Sequence, residues 1–181
     1  MSGFMVYDTE TTGLVKHPSA PLSKQPRIIE FAASMLSITS GKVIESIDVL
    51  INPDEPVTDE ITKITGIAHA DVADKPKFIH RWAAIRKFIE RADAVLAHNE
   101  PFDHQMLDNE LRRLGVKDFK WPPAFCTISL YRDQFGFDPK LTVLYQKIIG
   151  KPLDQRHRAA ADVAALVEIV QKEKLWKVLL G

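Results

Sequence analysis

The sequence predicts an α/β fold in which a mixed sheet carries helices on both faces. Residues 27–38 and 42–51 are apolar, strand-prone runs joined around Ser40-Gly41, which reads as an antiparallel hairpin placed after a first short strand. From residue 78 onward, helical and strand patterns alternate, the order that builds parallel strands with covering helices. With 181 residues and 45% hydrophobic content, the chain is the length of one domain and can bury a sizeable core, so residues 1–181 are expected to form a single domain.

The elements follow in order. Residues 4–7 form the first strand, and residues 15–26, with Pro18, Pro21 and Pro26, form an irregular connection to the second. Thr58-Asp59-Glu60 before Ile61 supplies a helix start, and residues 78–91 carry apolar side chains at helical spacing. Residues 94–98 read as a further strand. Pro101 then suits a first helical position, opening a helix through Arg113. A strand near Phe125 and helices around Leu130, Leu141 and Asp162 complete the pattern. Residues 171–180 continue the last helix, and their apolar face is expected to pack on the domain.

Three segments carry chemistry. Asp8 and Glu10 stand two residues apart at the end of the first strand, so their side chains point the same way. Two convergent carboxylates with no basic residue beside them are costly unless a cation sits between them, and a hard divalent ion suits oxygen ligands. Asp103 falls in the first turn of the helix opened by Pro101, just beyond a strand end, where a carboxylate is also favoured by the helix dipole. Asp162 lies in the first turns of an alanine-rich helix. His157, five residues earlier, would diverge from it by about 140° on one helix, so the two can meet only if His157 precedes that helix.

Taken together, DTETTGL from Asp8, HNEPFD ending at Asp103 and HRAAAD from His157 to Asp162 resemble the three motifs of the DnaQ-like 3′–5′ exonucleases, in their histidine-containing DEDDh branch. Nearly the whole chain takes part, with 27–32 matching the second strand, 64–67 and 74–76 further matches, and 126–130 following the second motif. The resemblance implies a ribonuclease H-like fold with a five-stranded mixed sheet. It also implies two Mg²⁺ or Mn²⁺ ions about 3.5–4 Å apart, clamping the scissile phosphate. By motif position, Asp8, Glu10 and Asp162 would bind the ion that carries the nucleophile. Asp8 would reach the second ion as well, and Asp103 would act there through water. His157 would be the general base, a role suited to an imidazole that titrates near neutrality. Thr11, Thr12, Gly13 and Leu14 would meet the terminal nucleotide, with Phe102 stacking on a base and Asn99 bonding a neighbouring phosphate or backbone group.

Composition bounds the rest. Formal net charge is zero, which argues against a broad basic surface coating long nucleic acid. Local cations near the motifs, namely Lys16, Lys24, Arg27, Lys147, Lys151, Arg156 and Arg158, would suffice to grip a 3′ end. The single cysteine, Cys126, cannot form an internal disulfide and is expected to fill a small buried position. No apolar run approaches membrane-spanning length and no signal-peptide pattern precedes the first strand, so the cytoplasm is the expected location. The expected partners are nucleic-acid 3′ ends, DNA ahead of RNA, with room for a polymerase or repair partner. An RNA-trimming exonuclease fits the same acids, and a non-catalytic polymerase-associated module is the rival of another class. The acids are too dispersed for an EF-hand.

Overall fold

In the computed structural model, residues 3–17, 19–154 and 158–181 are described. Pro18, Arg156 and His157 lie outside the described residues. Five strands form one sheet in the order β3-β2-β1-β4-β5, where β1 is Gly3–Thr11, β2 Ile28–Leu36, β3 Val43–Leu50, β4 Ala92–Ala97 and β5 Ala124–Cys126. β1 to β3 are antiparallel neighbours, whereas β1 pairs with β4, and β4 with β5, in parallel. This is the ribonuclease H-like arrangement implied by the motifs.

Alternation along β1 divides the core. Phe4 and Val6 face a cluster completed by α5 (Thr127–Phe135), α6 (Leu141–Ile149) and α7 (Ala159–Glu173). Met5 and Tyr7 face the opposite cluster, built with α3 (Phe78–Ile89) and α4 (Glu100–Arg113). Each face is apolar because each is covered by helices, which is why β2 is buried along its whole length. α1 (Asp59–Thr65) starts where expected, with the Thr58 hydroxyl accepting from the Ile61 N–H.

Four features depart from the sequence reading. β1 runs on through Thr11, so Asp8 and Glu10 are strand residues paired with Ala32 and Glu30 of β2, not flanking residues. A one-turn helix, α2 (His69–Val72), is too short to show periodicity and is held by Asp71 accepting from the Ala68 N–H at 2.8 Å. The last helix is not continuous: Lys174 adopts a left-handed conformation (φ 54°), and α8 (Leu175–Leu180) turns back to bury Leu175 and Trp176. The Cys126 side chain is half-buried, at the end of β5.

The connection between β1 and β2 is pinned. The Gln25 side chain accepts from the Lys16 N–H at 2.9 Å and donates to the carbonyls of Lys16 and His17. From α4, Arg113 donates to the carbonyls of Leu22, Gln25 and Pro26 at 2.7–3.1 Å. Among the described residues, no helix is long and apolar enough to cross a membrane.

The turn between β2 and β3 depends on Gly41. Its φ is 69°, and a Cβ there would fall within the Trp176 ring of α8. Gly41→Ala is expected to destabilise the fold by about 2–4 kcal/mol, measured by chemical denaturation, since it adds backbone strain to overpacking.

Candidate active site

The site lies where β1 outruns its parallel neighbour. β1 pairs with β4 only from Gly3 to Val6, so Asp8 and Glu10 project past the carboxyl end of β4 while β2 still supports them. Ligands of open α/β sheets bind at such strand ends. Asp8 and Glu10 share the face of Phe4 and Val6, the side on which α7 packs, and Asp162 enters from the first turn of α7. One carboxylate oxygen from each of Asp8, Glu10 and Asp162 lies within 4.8 Å of the others.

Asp103 arrives from the other layer. It sits in the first turn of α4, almost fully buried, and accepts from the Thr9 N–H at 3.0 Å and the Thr9 hydroxyl at 2.7 Å. Thr9 points away from Asp8 and Glu10 along the strand, so one residue of β1 holds the acid of the opposite layer. The expected Pro101 start is shifted by one residue, since Glu100 opens α4. Asn99 precedes it in the left-handed region (φ 68°), which asparagine tolerates better than most residues. Glu100 in turn accepts from the Tyr7 hydroxyl at 3.3 Å and lies 3.3 Å from His104 Nδ1.

Crowding sets the electrostatics. Burial, with added repulsion from Asp103, Glu10 and Asp162, holds Asp8 well above the usual carboxylate range. Burial and the charges of Asp162 and Glu30 push Glu10 up to about 8, with Arg158 opposing them. Asp103 rises to about 7, chiefly through burial, against the lowering effect of its Thr9 bonds. A cluster whose acids resist ionisation in the folded chain is suited to a multivalent cation, which would supply the missing positive charge. The oxygen-only donor set fits a hard ion such as Mg²⁺ or Mn²⁺.

Beside the acids lies a cavity of about 410 Å³ whose lining includes Asp8, His98, Asn99, Asp138, Lys140 and Asp162. Its volume falls in the range of ligand pockets. His98 is pushed down to about 4 by burial and bonds the Thr127 hydroxyl through Nδ1 at 2.7 Å, so it stays neutral at pH 7.

The expected nucleotide-facing residues divide. Leu14 is 80% exposed, an apolar side chain standing free in solvent, while Phe102 is half-buried against the α4 cluster. The Thr11 hydroxyl donates to the Gly13 carbonyl at 2.7 Å. The Thr12 hydroxyl donates to Glu55 at 2.6 Å and accepts from the Arg27 N–H, and the Thr12 N–H is taken by the Arg27 carbonyl. Both hydroxyls and the Thr12 N–H therefore hold the turn together. Gly13 has open space around its Cα and no left-handed φ, which leaves room for close approach from outside. Sequence reasoning missed Thr9 and Glu30; an acid inside the otherwise apolar run Ile28-Ile29-Glu30-Phe31-Ala32 was the available signal for the second.

A family profile described as RNase T exonuclease matches residues 5–170. The chain is 32% identical over 181 residues to DNA polymerase III PolC-type of Caldanaerobacter subterraneus subsp. tengcongensis, covering 97% of this chain and 12% of that one. It is 33% identical over 170 residues to a DNA polymerase III subunit epsilon-like protein of Rhodobacter capsulatus, covering 91% and 23% respectively. The chain thus spans between about an eighth and a quarter of the length of these curated relatives. Among solved structures, exonuclease I superposes with a TM-score of 0.79 at 22% identity, over 99% of this chain and 43% of that one. The nuclease domain of 3′hExo, a DEDDh family member bound to rAMP, superposes at 0.74 and 17% identity, over 95% and 91%. Both share the fold.

Raised carboxylate pKa values couple stability to pH. Glu10 moves from an ordinary 4.5 to about 8 and Asp103 from 3.8 to about 7, so across that window the metal-free folded chain binds more protons than the unfolded chain. The stability from these groups is complete below pH 4 and is lost as pH rises through about 7 to 8. Melting curves with and without Mn²⁺ are expected to show a larger metal-induced rise in Tm at about pH 8 than at about pH 6, where the ion must displace protons. An equal rise at both would contradict this electrostatic description.

Proposed function

The chain belongs to the RNase T family of DnaQ-like 3′–5′ exonucleases, and from that membership we propose that it is a metal-dependent exodeoxyribonuclease releasing nucleoside 5′-monophosphates from DNA 3′ ends in proofreading or repair. The observation that carries the two-metal part is the convergence of Asp8, Glu10 and Asp162 within 4.8 Å, with Asp103 held beside them by Thr9. DNA is favoured over RNA because the relatives similar along the chain are named as DNA polymerase III components.

When bound, divalent cations at these oxygens supply Lewis acidity to the phosphate and lower the pKa of a water. The chain's own residues do the remaining work. Asp8, Glu10 and Asp162 fix the site where the phosphate sits, and Asp103, anchored on Thr9, completes it from the α4 side. His157 takes the proton of the attacking water as the water oxygen bonds to phosphorus and the bond to the 3′ oxygen of the preceding nucleotide breaks. That 3′ oxygen leaves with a proton from solvent, giving a 5′-monophosphate and a shortened chain ending in a 3′-hydroxyl. Leu14 and Phe102 take the terminal base, Asn99 a backbone group and Gly13 the sugar. Placing His157 as base puts the chain in the DEDDh branch.

With 5′-labelled single-stranded DNA and RNA of matched sequence and Mg²⁺, the wild type is expected to give a ladder shortening from the 3′ end, faster on DNA. Asp8→Ala and EDTA should abolish it. Faster digestion of RNA would transfer the assignment to RNA trimming, and no digestion with Mg²⁺ or Mn²⁺ would favour a non-catalytic module. His157→Ala is expected to lower kcat by about 10²–10⁴-fold with substrate binding largely retained. Near-normal turnover in that variant would remove histidine from the mechanism.

A further inference from the structure

Glu30 is a fifth carboxylate beside the four already described, and it is wholly buried. It stands directly opposite Glu10 in the β1–β2 register, so both side chains project toward α7. Like charges facing across a ladder are destabilising, which demands a reason for the acid.

Its partners supply one. Arg158 Nε donates to both Glu30 oxygens at 3.0 and 3.1 Å, and Arg158 Nη2 donates to Oε1 as well. The Ala159 N–H, first in α7, donates to Glu30 Oε2 at 2.8 Å. Arg158 occupies the N-cap of α7 but gives no side-chain cap of its own. The capping acceptor is therefore borrowed from β2, at the residue facing Glu10. A local serine or aspartate would cap the helix equally well without tying it to the sheet. Glu30 is buried but the Arg158 side chain is 40% exposed, so the ion pair adds little net stability, and the better-attested use of such ionic groups is to fix one arrangement against others.

We infer that Glu30 and Arg158 are positioning residues that lock the start of α7 onto β2, so that Asp162 is held against Asp8 and Glu10 in the arrangement a cation requires. The inference rests on the metal-dependent reading above. The clamp fixes both the height of α7 along β2 and its rotation. One turn into α7, Asp162 inherits that setting, and Arg158 is also the chain neighbour of His157. The Arg158 guanidinium offsets the Glu30 charge, which keeps the fifth acid from adding a full charge to the cluster.

The test compares Glu30→Gln, Arg158→Lys, Arg158→Ala and the double variant Glu30→Gln/Arg158→Ala with wild type in three measurements: Mn²⁺ binding without substrate, kcat and KM on single-stranded DNA, and Tm. Mn²⁺ affinity is expected to weaken about tenfold and kcat to fall about 10–100-fold, with KM within about threefold of wild type. The double variant should be no worse than the more damaged single variant, as for residues acting as one unit. Arg158→Lys should retain more Mn²⁺ affinity than Arg158→Ala. Mn²⁺ affinity and kcat within about twofold of wild type in folded Glu30→Gln would overturn the clamp. So would additive losses, or losses that vanish after correction for the folded fraction. If Arg158→Ala does not fold, Glu30→Gln and Arg158→Lys decide by the same criteria. If wild type digests no DNA, the exonuclease reading fails, while Mn²⁺ affinity still decides the clamp.

Discussion

Asp8, Glu10, Asp103 and Asp162 repel one another, and much of the local architecture is explained by what it takes to hold them together. Left to themselves, such groups would move apart or keep their protons. Here they cannot move apart. Two are fixed by strand geometry, one by the first turn of a helix packed on the core, and one by two hydrogen bonds from Thr9. The strain appears instead as raised pKa values at Asp8, Glu10 and Asp103. A site that resists its own ionisation gains most from a cation, because the ion removes repulsion at several groups at once.

The sheet makes this crowding achievable. β1 is nine residues long and β4 six, and their pairing stops at Val6, so more than half of β1, from Tyr7 to Thr11, is supported on one side and open on the other. Had β4 continued, its backbone would occupy the space into which α4 brings Asp103. Alternation along β1 then gives each layer a handle: Asp8 and Glu10 face α7, while Thr9 between them faces α4. One strand thereby registers two helices that do not need to touch each other. The parallel connection through α4 and the later passage to α7 place both helix starts at the same end of the sheet.

The acids were legible because their spacing has direct geometric meaning. Positions i and i+2 share a face in any strand, and an aspartate in a first helical turn is near whatever the helix start approaches. The sheet order was less accessible; only the hairpin was evident from local sequence, and the parallel pairs joined residues far apart in the chain. Glu30 read as one polar residue in an apolar strand, because its partners Arg158 and Ala159 lie about 130 residues later. The break at Lys174 was hidden because lysine carries no turn signal, and the turn exists to bury Trp176 over Gly41. The bonds of Thr12 to Glu55 and to the Arg27 N–H were not legible, because those partners lie 43 and 15 residues further along the chain. His157 stood out through its fixed distance from Asp162, and it lies outside the described residues.

Charge leads to one further step. A neutral chain whose functional end gathers carboxylates has a site that turns negative as those acids ionise, and a nucleic acid, itself a polyanion, is repelled by that charge. Lys140 stands in the cavity wall beside Asp8 and Asp162, but Asp138 stands there too, so the wall supplies no excess of positive charge. On the proposed reading, the cations change the sign of the site before they take part in any reaction. Substrate affinity and metal affinity must then be linked, and linkage is reciprocal: whatever the ions add to DNA binding, DNA adds to ion binding. Such coupling ties a hydrolytic site to the presence of a 3′ end, since the full set of charges is favourable only when phosphate, ions and acids are together. The pinned connection between β1 and β2 and the clamp at the start of α7 fit this arrangement, for a site that assembles its charges on binding still needs its ligands fixed in advance.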